Sequence, residues 1–445
     1  MQKIIYKLLK DTKNFFIKAE GSSMLPHLRP GDILYLKKIK FQQVKINDLI
    51  MVKNGKQIFT HRVIFKTQDL TTIPPPRGSP FGHLAERVLA AYIITRGDNN
   101  PQADGKIKPK QIMGKVYQTK RKGQIIDPEN FYLLQSTLYF QEIVKVKKAF
   151  EKEKIDFVFL KGLPLHLYFE RSHPRRIYAD CDILIEKADY EKVKKVFAGN
   201  GFKKVDTSYS PLHKLLKDKP TEISFFKKVN NFPVVFDIHF EPVFLMNQLG
   251  KLDALYPEKF RQQMTRDFLQ TKRTIKVQGE QFFILDTSCL ILYLCLHFFH
   301  HNYRGIFRLE LIDKVMRKVV RFPSPLGNPR LPATPGVFLS LSDKIKYYKV
   351  QNFVYPVFIL LQKYFATPLP DEFVKFIKPE SNKLQYIRKN ILKSNIFDDE
   401  KRIQAGIARF KNIFYLSPSP FWKKLTLIFN LQVIYSVFWV GYLRI

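Results

Sequence analysis

A serine pair, Ser22-Ser23, follows Gly21 and precedes Met24-Leu25-Pro26, and the stretch closes on Gly31-Asp32. Small residues around a serine, then Met, Pro and a Gly-Asp turn, suit a loop whose hydroxyl must stand exposed at a strand end. The segment reads as a nucleophile site. A serine hydroxyl is a poor nucleophile at neutral pH, so a base must lie within hydrogen-bond reach and another group must orient that base. A second set of residues suits different chemistry. In Ala179-Asp180-Cys181-Asp182-Ile183-Leu184-Ile185, strand alternation puts Asp180 and Asp182 on one face and turns Cys181 and Ile183 into the core. Two carboxylates on one face repel, and a divalent cation is the usual offset. The strand-like Phe232-Pro233-Val234-Val235-Phe236-Asp237-Ile238-His239 offers a third carboxylate, Asp237. Three aspartates on adjacent strands are enough for two Mg²⁺, one activating an attacking oxygen and one clamping nucleotide phosphates.

The serine run resembles the type I signal peptidase family, whose catalytic serine precedes the Met of a Gly-x-Ser-Met-x-Pro run ending in Gly-Asp. The resemblance implies Ser23 as nucleophile. Thr60-His61-Arg62-Val63 follows a strand-like run from Asp48 to Phe59, where the archaeal, endoplasmic reticulum and spore-former members carry His instead of Lys. It implies His61 as base. Arg96-Gly97-Asp98-Asn99-Asn100, with Asp104 after it, resembles the family's Gly-Asp-Asn box and trailing Asp. Asp104 is the first choice for orienting His61, Asp98 the second, and no cofactor is implied. The bland reading beside it is a degenerate copy that keeps the loop for packing or peptide binding.

Asp156 to Gly162 reads as a buried strand breaking into a glycine turn, followed by a helix from Leu163 to Glu170. The run Leu-Lys-Gly, then Arg-x-x-x-Asp-x-Asp, then hydrophobic-Asp-x-His resembles the minimal nucleotidyltransferase superfamily, in particular its uncharacterised bacterial branch. The resemblance implies Asp180, Asp182 and Asp237 as metal ligands, with Lys161, Gly162 and Arg176 toward the phosphates. Mg²⁺ and a nucleoside triphosphate are the implied cofactors. The superfamily usually has Gly-Ser where this chain has Lys161-Gly162-Leu163. His297 and His301 share a helix face at a spacing that would suit a metal, but no Glu stands at the general-base position, so packing is the expectation.

The elements that must position these residues set the fold class, α+β. Short β-rich segments punctuated by Gly and Pro (Ile33 to Leu36, Leu49 to Val52, Ile58 to Phe65, Val88 to Thr95, Ile112 to Tyr117) predict a coiled β-sheet, signal-peptidase-like domain over 1–122, with a loop at Pro74 to Pro80. Residues 123–322 read as a nucleotidyltransferase α/β domain. Its helices are expected over Phe131 to Lys152, Asp189 to Ala198, Leu290 to His301 and Arg308 to Val320. A Pro-rich loop over Phe322 to Pro335 precedes a helical cap, 323–420 as a region, with helices over Leu339 to Ala366, Asp371 to Ile377 and onward to Phe414. The hydrophobic tail is 421–445.

The chain has 445 residues, enough for two or three domains with proper cores. Its net charge of +36 suits an acidic partner, but the charge is spread from end to end and follows a Lys-rich, Ala-poor composition, so specific nucleic-acid binding is not expected. Cys181, Cys289 and Cys295 have no zinc or disulfide spacing and predict a reducing compartment. Met1 to Leu9 is short and carries lysines, so neither a spanning helix nor a cleavable signal is expected there. Leu425 to Leu443 runs 19 residues without a charge, just long enough to span, with an interfacial anchor or a buried helix as the alternatives; if it spans, Lys423-Lys424 before it favours the cytoplasmic side for the preceding domains. The expected partners are a peptide or preprotein, a nucleotide and an anionic membrane. The expected function is a bifunctional enzyme, a serine endopeptidase of signal peptidase type fused to a metal-dependent nucleotidyltransferase. The alternatives are a catalytically relic peptide-binding scaffold and a chain in which the nucleotidyltransferase half alone is active.

Overall fold

The computed structural model describes residues 14–67, 91–127, 130–171, 173, 178, 180–205, 221–230, 232–242, 245, 253–321, 335–398, 402–427 and 429. The chain forms two compact units, Met1–Leu133 with Ile396–Asp399, and Leu134–Asn395 with Glu400–Ile445.

In the first unit, β1 (Asn14–Lys18), β2 (Ile33–Lys37), β3 (Leu49–Asn54), β4 (Gln57–Lys66), β5 (Ile93–Arg96), β6 (Lys106–Ile107), β7 (Ile112–Arg121) and β8 (Gln124–Ile126) build one sheet. Its order is β1-β2-β7-β3-β4-β5-β6, with β8 on β7, and the pairings are antiparallel. β3 explains how so short a chain encloses a core. Leu49 and Met51 join Met24, Leu28, Leu34 and Leu36 on one face, while Ile50 and Val52 join Val44, Val63, Ile93 and Ile107 on the other. Each such side chain contributes roughly 1.5–3 kcal/mol on burial. The strand-like run from Asp48 to Phe59 is in fact a hairpin. Asn54 pairs with Gln57 across a two-residue turn, and Gly55 takes φ +60° there, which a side chain would resist. His61 therefore lies inside β4 rather than after a strand. The expected strand at Val88 is described from Ile93 onward, and the loop at Pro74 to Pro80 lies outside the described residues.

α1 (Asn130–Lys152) opens in the first unit and continues into the second. There follow β9 (Phe157–Lys161), α2 (Leu163–Glu170), β10 (Cys181–Ile185), α3 (Tyr190–Gly199), β11 (Lys203–Lys204), β12 (Glu222–Val229), β13 (Phe232–His239), α4 (Glu258–Gln270), β14 (Arg273–Val277), β15 (Glu280–Ile284), α5 (Thr287–His300) and α6 (Ile306–Arg321). The sheet order is β11-β12-β13-β10-β9-β15-β14. All five residues of β10 are buried, as a central strand requires. β10 runs parallel to β13 and antiparallel to β9. Phe197 of α3 stacks on Phe225 of β12 with centroids 4.2 Å apart, and α5 is capped by Asp286, whose carboxylate accepts from the amides of Ser288 and Cys289.

Helices α7 (Pro335–Tyr347), α8 (Gln351–Phe365), α9 (Asp371–Phe376), α10 (Ser381–Tyr386), α11 (Arg402–Leu416) and α12 (Phe421–Leu425) complete the unit. The stretch Leu339 to Ala366 is two helices, because the backbone turns left-handed at Lys349, φ 56°. The hairpin β14–β15 is absent from the sequence reading; its Gln278-Gly279 turn has both residues at positive φ, the type I′ geometry that suits strand twist. All three cysteines are buried and unpaired with one another. Among the described residues no helix is long and apolar enough to cross a membrane, and the tail beyond residue 429, like the Pro-rich loop at 322–334, lies outside them.

Candidate functional sites

The first site joins a turn, a strand and a loop. Ser23 lies in the turn after β1, half-buried; His61 is buried within β4; Asp104 is in the loop between β5 and β6. Ser23 Oγ is 2.9 Å from His61 Nε2, and His61 Nδ1 is 2.7 Å from Asp104 Oδ2. The same Asp104 oxygen accepts from Thr95 Oγ1 at 2.7 Å, and the Asp104 amide donates to the Thr95 carbonyl at 2.9 Å. Two strand-anchored contacts thus hold a loop carboxylate against the imidazole. Phe59, two residues back on β4 and so on the same face, packs on the His61 ring with centroids 4.7 Å apart.

The serine turn is pinned by the Gly97-Asp98-Asn99 loop. Asn99 donates its amide to the Ser23 carbonyl at 2.8 Å, and Asp98 donates its amide to Met24 Sδ at 3.4 Å. A Cβ on Gly97 would stand 2.6 Å from the Ser23 carbonyl oxygen, so this approach requires glycine. Asp98 has other partners than His61. It accepts a bidentate pair from Arg62 at 2.8 Å each, lies 2.9 Å from His27 Nδ1 and accepts from Tyr132 Oη at 3.2 Å. Burial pushes the Asp98 carboxyl up, but Arg62 and His27 outweigh it and hold it far below the usual carboxylate range. Arg62 and His61, adjacent on one strand, face opposite ways, so this ion network backs the relay without entering it.

The second site lies across three neighbouring strands. Asp182 on β10 is in register with Asp237 on β13 and with Lys161 on β9. Asp180, just before β10, Asp182 and Asp237 each offer one carboxylate oxygen, all within 4.8 Å of one another. Asp180 is 43% exposed and Asp182 4%, so the cluster runs from an open rim to a buried floor. Lys161 Nζ lies 2.9 Å from Asp180 Oδ2 and 2.6 Å from Asp182 Oδ2, the latter a close ion contact rather than a directed hydrogen bond. His239 Nε2 is 2.9 Å from Asp182 Oδ1, and Ser224 Oγ donates to Asp237 Oδ1 at 2.6 Å. Burial, Asp182 and Glu222 push the Asp237 carboxyl up to about 7. Burial would raise Asp182 too, but Lys161 and His239 outweigh it and keep it low.

Residues 130–318 match the family model of an uncharacterised nucleotidyltransferase. The chain thus carries a nucleotidyltransferase-family domain, and the three aspartates lie inside it. Comparisons with curated proteins and with solved structures gave no match. Residues before 130 lie outside the family match, and the first site stands on its own geometry.

The donor set of the nucleotidyltransferase domain fits a hard divalent cation. It consists of carboxylate oxygens, it is graded in exposure, and Asp182 Oδ2 is buried without a directed hydrogen bond. Burial first, and then repulsion from Asp182 and Glu222, raise Asp237, and such a cation would offset both. Gly162 takes φ +111° at the entry to α2, where a Cβ would also meet Cys181. Arg176 lies outside the described residues. His297 and His301 pack ring to ring, 4.7 Å between centroids; among the described residues the acidic triad is the one group of three ligands that could hold a metal. Burial holds both imidazoles well below their ordinary range, with Lys161 and Arg308 adding to it.

Several supporting groups have no role that the sequence alone reveals. His239 was visible as the end of the Asp-x-His run and Gly97 as the start of the Gly-Asp box, each without an assigned role. Thr95, Arg62 and Ser224 carry no local signal, because their partners Asp104, Asp98 and Asp237 lie 9, 36 and 13 residues away and meet them only in the folded sheet.

Proposed function

We propose that the chain is a bifunctional enzyme, a serine endopeptidase of signal peptidase type joined to a metal-dependent nucleotidyltransferase. The observation that carries the first half is the unbroken relay from Ser23 Oγ through both nitrogens of His61 to Asp104. Asp104, accepting at Nδ1, selects the tautomer whose Nε2 lone pair faces Ser23. Nε2 takes the hydroxyl proton as Oγ bonds to the carbonyl carbon of a peptide. The tetrahedral intermediate collapses with loss of the C–N bond, and the imidazolium returns its proton to the leaving amine. Water then attacks the acyl-enzyme by the same base, releasing the carboxylic acid and Ser23. Backbone amides beside Ser23 are the proposed donors to the oxyanion.

The second half is supported by the family match and the acidic triad. Asp180, Asp182 and Asp237 would hold Mg²⁺, which when bound supplies charge stabilisation for the phosphates of a nucleoside triphosphate. His239 and Ser224 fix the rotamers of Asp182 and Asp237, and the Lys161 ammonium spans Asp180 and Asp182. Gly162 and Arg176 are proposed on the phosphate side. We place both activities on the cytoplasmic side, where nucleoside triphosphate is available, with the tail against anionic lipid. The peptidase would remove a leader from a small peptide, and the transferase would modify the product.

The test is twofold on the purified full chain. A library of leader-type peptides should be cut by the wild type and left intact by Ser23→Ala; cleavage that persists in the variant would overturn the first half. Pyrophosphate release from nucleoside triphosphates should require Mg²⁺ and disappear in Asp182→Asn; release indifferent to both would overturn the second.

A further inference from the structure

We infer that the nucleotidyltransferase site takes a single divalent cation, because the ammonium of Lys161 already fills the position of a second. The inference rests on the reading of the acidic triad as a metal site. A two-metal centre holds its ions about 3.5–4 Å apart and needs a carboxylate that gives one oxygen to each. The only carboxylate of the triad placed to bridge is Asp182, on the strand between Lys161 and Asp237 and in register with both. One lone pair of each of its oxygens is engaged, Oδ1 by His239 Nε2 at 2.9 Å and Oδ2 by the Lys161 ammonium at 2.6 Å, which leaves room for one divalent ion on the side of Asp237 and not for a second beside the lysine.

Lys161 does more than pair with one acid. Its Nζ also lies 2.9 Å from Asp180 Oδ2, so the ammonium straddles the Asp180–Asp182 pair. A divalent ion bridging that pair would have to lie at about 2.0–2.1 Å from the same two oxygens, in the space the ammonium holds. The lysine cannot diffuse away as an ion can. It is 15% exposed and projects from β9, which is paired with β10 at this point. On the other side, Ser224 donates to Asp237 Oδ1, and a carboxylate oxygen of Asp237 lies within 4.8 Å of one of Asp182. Three carboxylates, one ammonium and one divalent ion leave the site near neutrality. A second divalent ion would load a largely buried site with surplus positive charge before any phosphate arrives.

The experiment is a titration of the full-length protein with Mn²⁺ alone, reading free Mn²⁺ by electron paramagnetic resonance. The wild type should bind one Mn²⁺ per chain, and Asp182→Asn and Asp237→Asn should each abolish that binding. Lys161→Met should bind two, and Lys161→Gln serves as the second variant should the methionine variant fold poorly by circular dichroism. Two Mn²⁺ in the wild type would overturn the inference and leave the metal site standing. One Mn²⁺ in both folded lysine variants would overturn it as well, since removing the ammonium would have opened nothing. No Mn²⁺ in the wild type, or binding untouched by the aspartate variants, would overturn the reading of the triad itself.

Discussion

The two sites hold reactive groups in place by opposite means. In the first, a hydroxyl, an imidazole and one carboxylate come from a turn, a strand and a loop, with 38 and 43 residues between successive partners. In the second, three carboxylates and a lysine come from neighbouring strands whose register alone brings them together. The loop-built site therefore needs a scaffold of its own. Asn99 grips the Ser23 carbonyl, Thr95 grips Asp104, and a buried Arg62–Asp98 pair backs the loop between them. The strand-built site needs instead a balance of charge, supplied by Lys161 and His239. A relay of one ionisable pair fails when a backbone segment shifts; a crowded acidic cluster fails when its cations change.

That contrast is sharpest in the variants that remove a reacting group. Ser23→Ala or His61→Ala should abolish covalent labelling and peptide cleavage by about 10⁴-fold or more while leaving pyrophosphate release untouched. Asp182→Asn, or a chelator on the wild type, should do the reverse, lowering transfer at least about 100-fold with Ser23 still reactive. Loss of both activities in either variant would mean the two sites are not separate in the way described.

Next in size is the scaffold of the first site. Gly97→Ala forces a Cβ against the Ser23 carbonyl and should cut Ser23 reactivity by about 100-fold, with circular dichroism unchanged. Wild-type reactivity there would remove the loop from the account. Arg62→Ala leaves Asp98 buried and unmatched by its bidentate partner, and should cost about 3–5 kcal/mol in chemical denaturation of the full chain.

The smallest effect concerns charge in the second unit away from its site. Burial raises the Glu170 carboxyl, but His166 and Lys314 outweigh it and bring it to about 2 from an ordinary 4.5. Its folded-state value lies below the unfolded one, so the contribution is full above pH 4.5 and fades as pH falls toward 2. Glu170→Gln should cost roughly 1–3 kcal/mol at pH 7, and the gap from wild type should close in acid. A gap that widens in acid would contradict the sign.

How much of this is legible in the sequence follows from the same contrast. The three strand aspartates are visible by alternation, because Asp180 and Asp182 differ by two and Asp237 ends an apolar run. The pairing of Asp182 with Lys161 is not, since strand order β13-β10-β9 is a property of the whole sheet. For the first site, Ser23, His61 and Asp104 are visible as motif, and the structure brings them within hydrogen-bond distance. Asp98 stood as second choice for the imidazole, yet its partners prove to be Arg62, His27 and Tyr132, the last from a helix no local pattern ties to the serine turn. The hairpin turn at Gly55 and the break at Lys349 are hidden for a simpler reason. Apolar periodicity runs straight through both, and one residue's backbone decides them.

Ser23 must be an activated nucleophile for the first site to act as proposed. Intact mass of the full chain after treatment with a serine-acylating penem, wild type beside Ser23→Ala, tests that directly. One adduct on the wild type and none on the variant is the predicted result. A folded wild type that stays unmodified, or an adduct that survives Ser23→Ala, would contradict it.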